Sequence, residues 1–219
     1  MTEPPRRAAL SKASPLGGQR THEVTSVGAG SLWLVRHALP LIDKGICYGQ
    51  LDVQADLLET QKCAERLKNV LPAGAHLVSS PLQRCELLAH TLIDLQPGLT
   101  CIRDTRLQEM HFGQWEGRPW VDIDKTELAA WTDNFAHYQA GSASGAGTAS
   151  SAGESVTQFM ARVAAAFDEL DPSRDTVWLT HAGVIRAATL LAQGIRQLSR
   201  ADQWPLDAPA YGQWRKLAI

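Results

Sequence analysis

Three short stretches of this chain place cationic and imidazole side chains directly behind apolar runs. Arg36-His37-Ala38 follows the run at 32–35, the sequence SSPLQR ending in Arg84 follows the run at 76–79, and Thr180-His181-Ala182-Gly183 closes the run at 176–180. Arginine offers a permanent charge and a planar fork of donors, so Arg36 and Arg84 suit the oxygens of a tetrahedral dianion. At about 4 Å and an effective dielectric near 20, each such contact supplies on the order of 4 kcal/mol of attraction before desolvation is subtracted. A neutral imidazole beside those cations is a competent nucleophile toward phosphorus, because neighbouring positive charge disfavours its protonation. A leaving alkoxide also needs a proton, which a carboxylic acid can supply. Glu109, next to a stretch containing Gly113 and Gly117 where the chain can turn toward the site, is the candidate.

Those residues act together only if the elements behind them converge. The continuous apolar runs at 32–35, 76–79 and 176–180 have the character of strands buried on both faces of a parallel sheet. Helical spacing of apolar residues marks 57–70, stopped by Pro72 and Gly74, and a helix opening at Pro81. It also marks the amphipathic stretch 154–170 and a helix over 183–191. Alternating strands and helices predict a three-layer α/β/α domain with a mostly parallel central sheet. In such sheets ligands gather at the carboxyl ends of the strands, where all three charged stretches fall.

Composition narrows the partners. The chain has 219 residues and a formal net charge of -2. Residues 1–30 hold four basic and two acidic groups, leaving a body of net -4, so no nucleic-acid partner is expected. Those first residues, rich in Pro, Gly, Ser and Thr, predict a disordered tail before a domain over 31–219. Arg6-Arg7 faintly resembles a twin-arginine signal but lacks the apolar segment that should follow, and no run is long enough to span a bilayer. A cytoplasmic protein without a membrane partner is expected, as a monomer or homodimer. The four cysteines (Cys47, Cys63, Cys85 and Cys101) form no CxxC pair, and no metal-ligand spacing such as HExxH occurs. The expectation is reduced, buried thiols, no metal and no cofactor.

The region 111–153 is read as an insertion. It ends in a low-complexity stretch at 139–153 that predicts a flexible surface loop. Residues 111–138 hold six aromatic residues, out of seven Trp, four Phe and three Tyr in the whole chain. They form either the insertion's own small core or a lid that stacks on a planar heterocycle. On the lid reading, Trp115, His111 and Tyr48 are the expected substrate rim.

LVRHA at 34–38, SSPLQRC at 79–85, LQEMHFGQWEG at 107–117 and LTHAG at 179–183 resemble, in order and spacing, the motifs of the histidine phosphatase superfamily, with its phosphoglycerate-mutase-like fold. The resemblance implies that His37 is a phosphohistidine nucleophile, that Arg36, Arg84 and His181 bind phosphate, and that Glu109 donates the proton. It implies metal-independent hydrolysis of a small phosphorylated metabolite. CYGQLD at 47–52, EMHFGQWEGRPW at 109–120 and GES at 153–155 are most similar to alpha-ribazole phosphatases of cobalamin assembly. Ala38 and Ala182 stand where the family commonly has Gly, and Asp43 stands where mutases carry Asn. A phosphoglycerate mutase, a protein phosphatase and a catalytically silent phosphate-binding protein are the competing readings.

Overall fold

The computed structural model describes residues 30–142 and 152–219. The expected tail and most of the low-complexity stretch lie outside these residues. The strands are β1 (Ser31–Arg36), β2 (His76–Ser79), β3 (Cys101–Arg103), β4 (Thr176–Thr180) and β5 (Trp214–Ala218). They form one sheet in the order β3-β2-β4-β1-β5, parallel except for the antiparallel edge strand β5. The three strands that carry chemistry at their ends are therefore the three central ones.

The sheet alternates its side chains between two cores, as a pleat of period two requires. Leu32, Leu34, Val78 and Trp178 face one way, toward α4 (Val156–Phe167) and α5 (Ala182–Ala192). Trp33, Val35, Leu77, Val177 and Leu179 face the other, toward α1 (Leu57–Lys68) and α2 (Gln83–Leu95). Cys63, Ala64 and Leu67 of α1 and Leu88, Ala89 and Leu92 of α2 complete that second layer. The expected three-layer arrangement is thus present.

Helix starts follow local chemistry. Asp56 caps α1 through its carboxylate, which accepts from Glu59 N. Ser155 and Gln158 form a reciprocal capping box on α4. Pro81 does not open its helix; α2 begins at Gln83, whose backbone N–H donates to Asp52 Oδ1 at 2.7 Å, so a side chain from a distant turn sets the start.

The aromatic region is a core rather than a stacking lid. Trp115 is fully buried against Trp120, Trp131 and Tyr138, and its indole N–H donates to Glu127 Oε2 at 2.7 Å. Phe112 packs edge-on to Trp120 and Trp131, beside the short helix α3 (Lys125–Asp133). Trp115 is therefore not a rim residue, because a ring with no accessible surface cannot touch substrate. Cys47, Cys63 and Cys85 are buried and free, while Cys101, on β3 near the sheet edge, is partly exposed. No described helix is long and apolar enough to cross a membrane.

Candidate active site

The carboxyl ends of β1, β2 and β4 meet in one buried cluster. His37 and His181 lie with ring centroids 5.2 Å apart, and Arg84 sits beside them with no exposed surface. His37 Nδ1 is 2.7 Å from the carbonyl oxygen of Ala38. A carbonyl only accepts, so Nδ1 carries the proton and Nε2 keeps its lone pair. Burial, then the charge of Arg84, and more weakly that of Arg36, hold His37 well below the ordinary imidazole value, with the Ala38 hydrogen bond pulling the other way. The result is a neutral ring with a free Nε2 among cations.

His181 has the opposite tautomer. Arg84 Nε donates to its Nδ1 at 3.3 Å, which leaves Nε2–H to donate to Ser80 Oγ at 2.8 Å. Burial first, then Arg84 and His37, keep this ring neutral as well. Both ring nitrogens are thus engaged, and His181 orients Arg84 in addition to walling the cluster. Cys85 Sγ lies 3.5 Å from His181 Nε2, but burial pushes its thiol up to about 12 despite the pull of Arg84. A protonated thiol is not a rival nucleophile.

Arg84 is fixed by a turn that sequence reasoning finds only as a motif. Gly49 and Leu51 in CYGQLD present their carbonyls to its two terminal nitrogens at 2.6 and 2.9 Å. Of the five N–H donors of a guanidinium, three are committed and two remain for an anion. Arg36 donates from one terminal nitrogen to Pro209 O at 2.9 Å, while its buried Nε has no acceptor. Tyr211, a residue without any sequence signal, lies under this arginine with the guanidinium carbon 3.9 Å from its ring centroid. Its ring is also 5.5 Å from that of His37, and its hydroxyl is 3.0 Å from that of Tyr48. Tyr48 in turn lies 5.2 Å from the Arg84 guanidinium, so this expected rim residue does border the cluster. His111 is held by its backbone, which exchanges hydrogen bonds with Glu154.

Glu109 reaches the cluster from the segment after β3. Its carboxylate accepts from Gly183 N at 3.0 Å and from Met110 N at 3.0 Å. Gly183 is the second residue of α5, so the carboxylate sits at a helix N-terminus. A Cβ at Gly183 would overlap Glu109 Oε1, which explains the glycine. The competing carboxylates have other tasks. Glu154 pairs with Arg162 at 2.7 Å, and Arg162 also donates to the carbonyls of Arg106, Gln108 and Glu109, bracing the segment. Glu116 Oε1 accepts from the backbone of Gln50 and Phe112. Ala182, the first residue of α5, has the helical backbone any L-residue adopts, and Ala38 is buried. Asp43 is exposed on the loop after β1.

Residues 32–212 match the model of the histidine phosphatase superfamily (branch 1). The chain is 29% identical over 178 residues to a Hydrogenobacter thermophilus protein named "Putative phosphoserine phosphatase 2", covering 75% of this chain and 79% of that one. Among solved structures, TTHB049 from Thermus thermophilus is 28% identical over 85% of this chain and 92% of its own, with a TM-score of 0.61. The mycobacterial glucosyl-3-phosphoglycerate phosphatase Rv2419c, solved with VO3, is 26% identical over 87% and 93%, with a TM-score of 0.67.

Proposed function

The chain belongs to the histidine phosphatase superfamily, and from that membership we propose that it hydrolyses a small phosphate monoester in two steps through a phosphohistidine at His37. The observation that carries the reading is the His37 ring itself. Its Nδ1–H is spent on Ala38 O, its Nε2 lone pair is free, and Arg36 and Arg84 flank it with unspent donors.

In the first step His37 Nε2 attacks phosphorus, the ester P–O bond breaks, and the leaving alkoxide takes the proton carried by Glu109. In the second step water attacks phosphorus and gives its proton to the Glu109 carboxylate. The P–N bond then breaks, returning inorganic phosphate and the neutral ring. Arg36 and Arg84 hold the equatorial oxygens, where charge is greatest in the transition state. His181 keeps Arg84 in register through the Nδ1 contact.

No step calls on a metal or cofactor, so hydrolysis is expected to persist in excess chelator. Rapid quenching of the enzyme with labelled substrate should trap label on His37 as an acid-labile, alkali-stable phosphoramidate. Label on another residue, or none during steady turnover, would refute the mechanism.

For substrate, two sets of candidates are supported by different features. CYGQLD and the 109–120 motif keep alpha-ribazole 5'-phosphate among them. The names of two relatives favour phosphorylated hydroxy acids and their derivatives. A phosphate-release screen spanning both sets, with sugar phosphates as the neutral reference, ranks them. Interconversion of phosphoglycerates in place of phosphate release would instead indicate a mutase, and no turnover of p-nitrophenyl phosphate a silent binding protein. The reading takes the protein to be cytoplasmic, acting as a monomer or homodimer on a soluble metabolite.

A further inference from the structure

Arg36 and Arg84 are held to unequal degrees. Among the described residues, the side chain of Arg84 donates to three acceptors, His181 Nδ1 and the carbonyls of Gly49 and Leu51. That of Arg36 donates to one, Pro209 O, and its buried Nε has none. The Arg36 guanidinium rests on the ring of Tyr211, whose hydroxyl lies 3.0 Å from that of Tyr48. We infer that this hydroxyl pair is a positioning bridge: it ties Arg36 to the turn that clamps Arg84 and so fixes the spacing of the two arginines for the phosphoryl group. The inference rests on the phosphatase reading above and assigns Tyr48 and Tyr211 a role in that same site.

Both ends of the bridge are anchored by backbone. Tyr48 lies in the turn that grips Arg84, between Gly49 and Cys47, and Cys47 exchanges hydrogen bonds with Gly117 and Arg118 at 2.7 and 2.8 Å. Tyr211 precedes Gly212, whose N–H is shared between the carbonyls of Arg36 and His37 at 3.2 and 3.0 Å. The Gly212 carbonyl in turn accepts from Arg66 of α1 at 3.1 Å. A side chain on a fixed backbone still chooses among rotamers. The contact between the hydroxyls selects one at each end, joining two segments 163 residues apart in the chain.

The bridge suits this place because it carries no charge. Burial first, then the bond with Tyr211, push the Tyr48 phenol above its ordinary range, with Arg36 pulling the other way. A tyrosinate here would pair with the arginines and compete with the phosphate of the substrate. A neutral hydroxyl pair leaves their charge for the phosphoryl oxygens. Fixed spacing matters most as phosphorus leaves tetrahedral geometry, because its equatorial oxygens then spread into one plane between the two cations. Displacing a catalytic group by about 1 Å can cost as much as about 10²-fold in rate, so the bridge contributes more to the transition state than to binding of a tetrahedral phosphate.

Tyr48→Phe and Tyr211→Phe remove the bond and keep both rings. The substrate is p-nitrophenyl phosphate, which reports on the phosphate side because its leaving group needs no proton from Glu109. Each variant is expected to lower kcat/KM by about tenfold, mainly through kcat. Inhibition by vanadate, which adopts trigonal bipyramidal geometry, should weaken by about tenfold, and inhibition by inorganic phosphate, a tetrahedral anion, by less than about threefold. The double variant should be no worse than either single one, because the same bond is lost in all three. A pair that serves the fold alone would lower the melting temperature and leave the vanadate-to-phosphate ratio at its wild-type value. That result overturns the bridge, as do losses that multiply in the double variant or wild-type kinetics in both single ones. Should one variant fail to fold in a thermal melt, the inhibitor ratio in the other decides. With the wild-type protein active, those outcomes remove the bridge and leave the phosphatase reading standing. No hydrolysis by the wild-type protein would refute that reading and the bridge with it.

Discussion

At the scale of single residues, the cluster works by committing each polar atom to one task. His37 spends its only proton on Ala38 O, so nothing competes for Nε2 except phosphorus. Replacing His37 with Ala should therefore lower turnover by at least about 10⁴-fold, as removal of a nucleophile does elsewhere, while circular dichroism stays native. Near-normal phosphate release from that variant would exclude His37 as the attacking group. Glu109 is tested by the leaving group. A good leaving group such as p-nitrophenolate departs without a proton, whereas an alkoxide does not. Glu109→Gln should thus slow hydrolysis of alkyl phosphates by about 10²- to 10⁴-fold and that of p-nitrophenyl phosphate much less. Equal losses on both substrates would mean that Glu109 shapes the site and does not donate.

At the scale of elements, the amino end of α5 joins the two halves of the chemistry. His181 stands at its N-cap and Gly183 offers N–H to Glu109. Gly183→Ala places a methyl group where the Glu109 carboxylate lies. Alanine itself suits a helix, so the melting temperature should change little while alkyl-phosphate turnover falls toward that of Glu109→Gln. An unaltered rate would show that the carboxylate has room to move. The central strands are legible in the sequence because short apolar runs, Leu32 to Val35, Leu77-Val78 and Val177 to Leu179, each lead into a stretch that carries Arg or His. β3, three residues long with Ile102 and Arg103 exposed, and the half-exposed edge strand β5 carry no such run. The turn that clamps Arg84 is equally hidden, since it acts through the carbonyls of Gly49 and Leu51, which every residue possesses. Sequence misplaces Trp115 because aromatic richness cannot distinguish a small core from a substrate lid; only burial does.

At the scale of the whole molecule, the site has a consequence for stability. His37 and His181 are buried among cations between two cores, and both are held neutral well below the ordinary value of 6.5. In the unfolded chain each takes a proton near that ordinary value. Below about pH 6.5 these two rings therefore bind up to two protons more in the unfolded state than in the folded one, and stability falls as the solution is acidified. Two protons correspond to a slope of about 2.7 kcal/mol per pH unit, large against a typical total of about 5–15 kcal/mol. Carboxylates whose values the fold lowers, such as Asp104 beside Arg106, have the same sign but act at lower pH, nearer 3.8. Urea denaturation between pH 5 and 6.5 reads the histidine contribution. His76, lowered by partial burial and the charge of Arg174, adds to it with the same sign, so the loss on replacing His181 is the specific measure. The slope there should approach two protons in the wild-type protein and fall by about one when a neutral Gln replaces His181. Stability independent of pH across that window would mean that one or both rings accept a proton in the folded state, and the neutral nucleophile on which the first step depends would then be lost at mildly acidic pH.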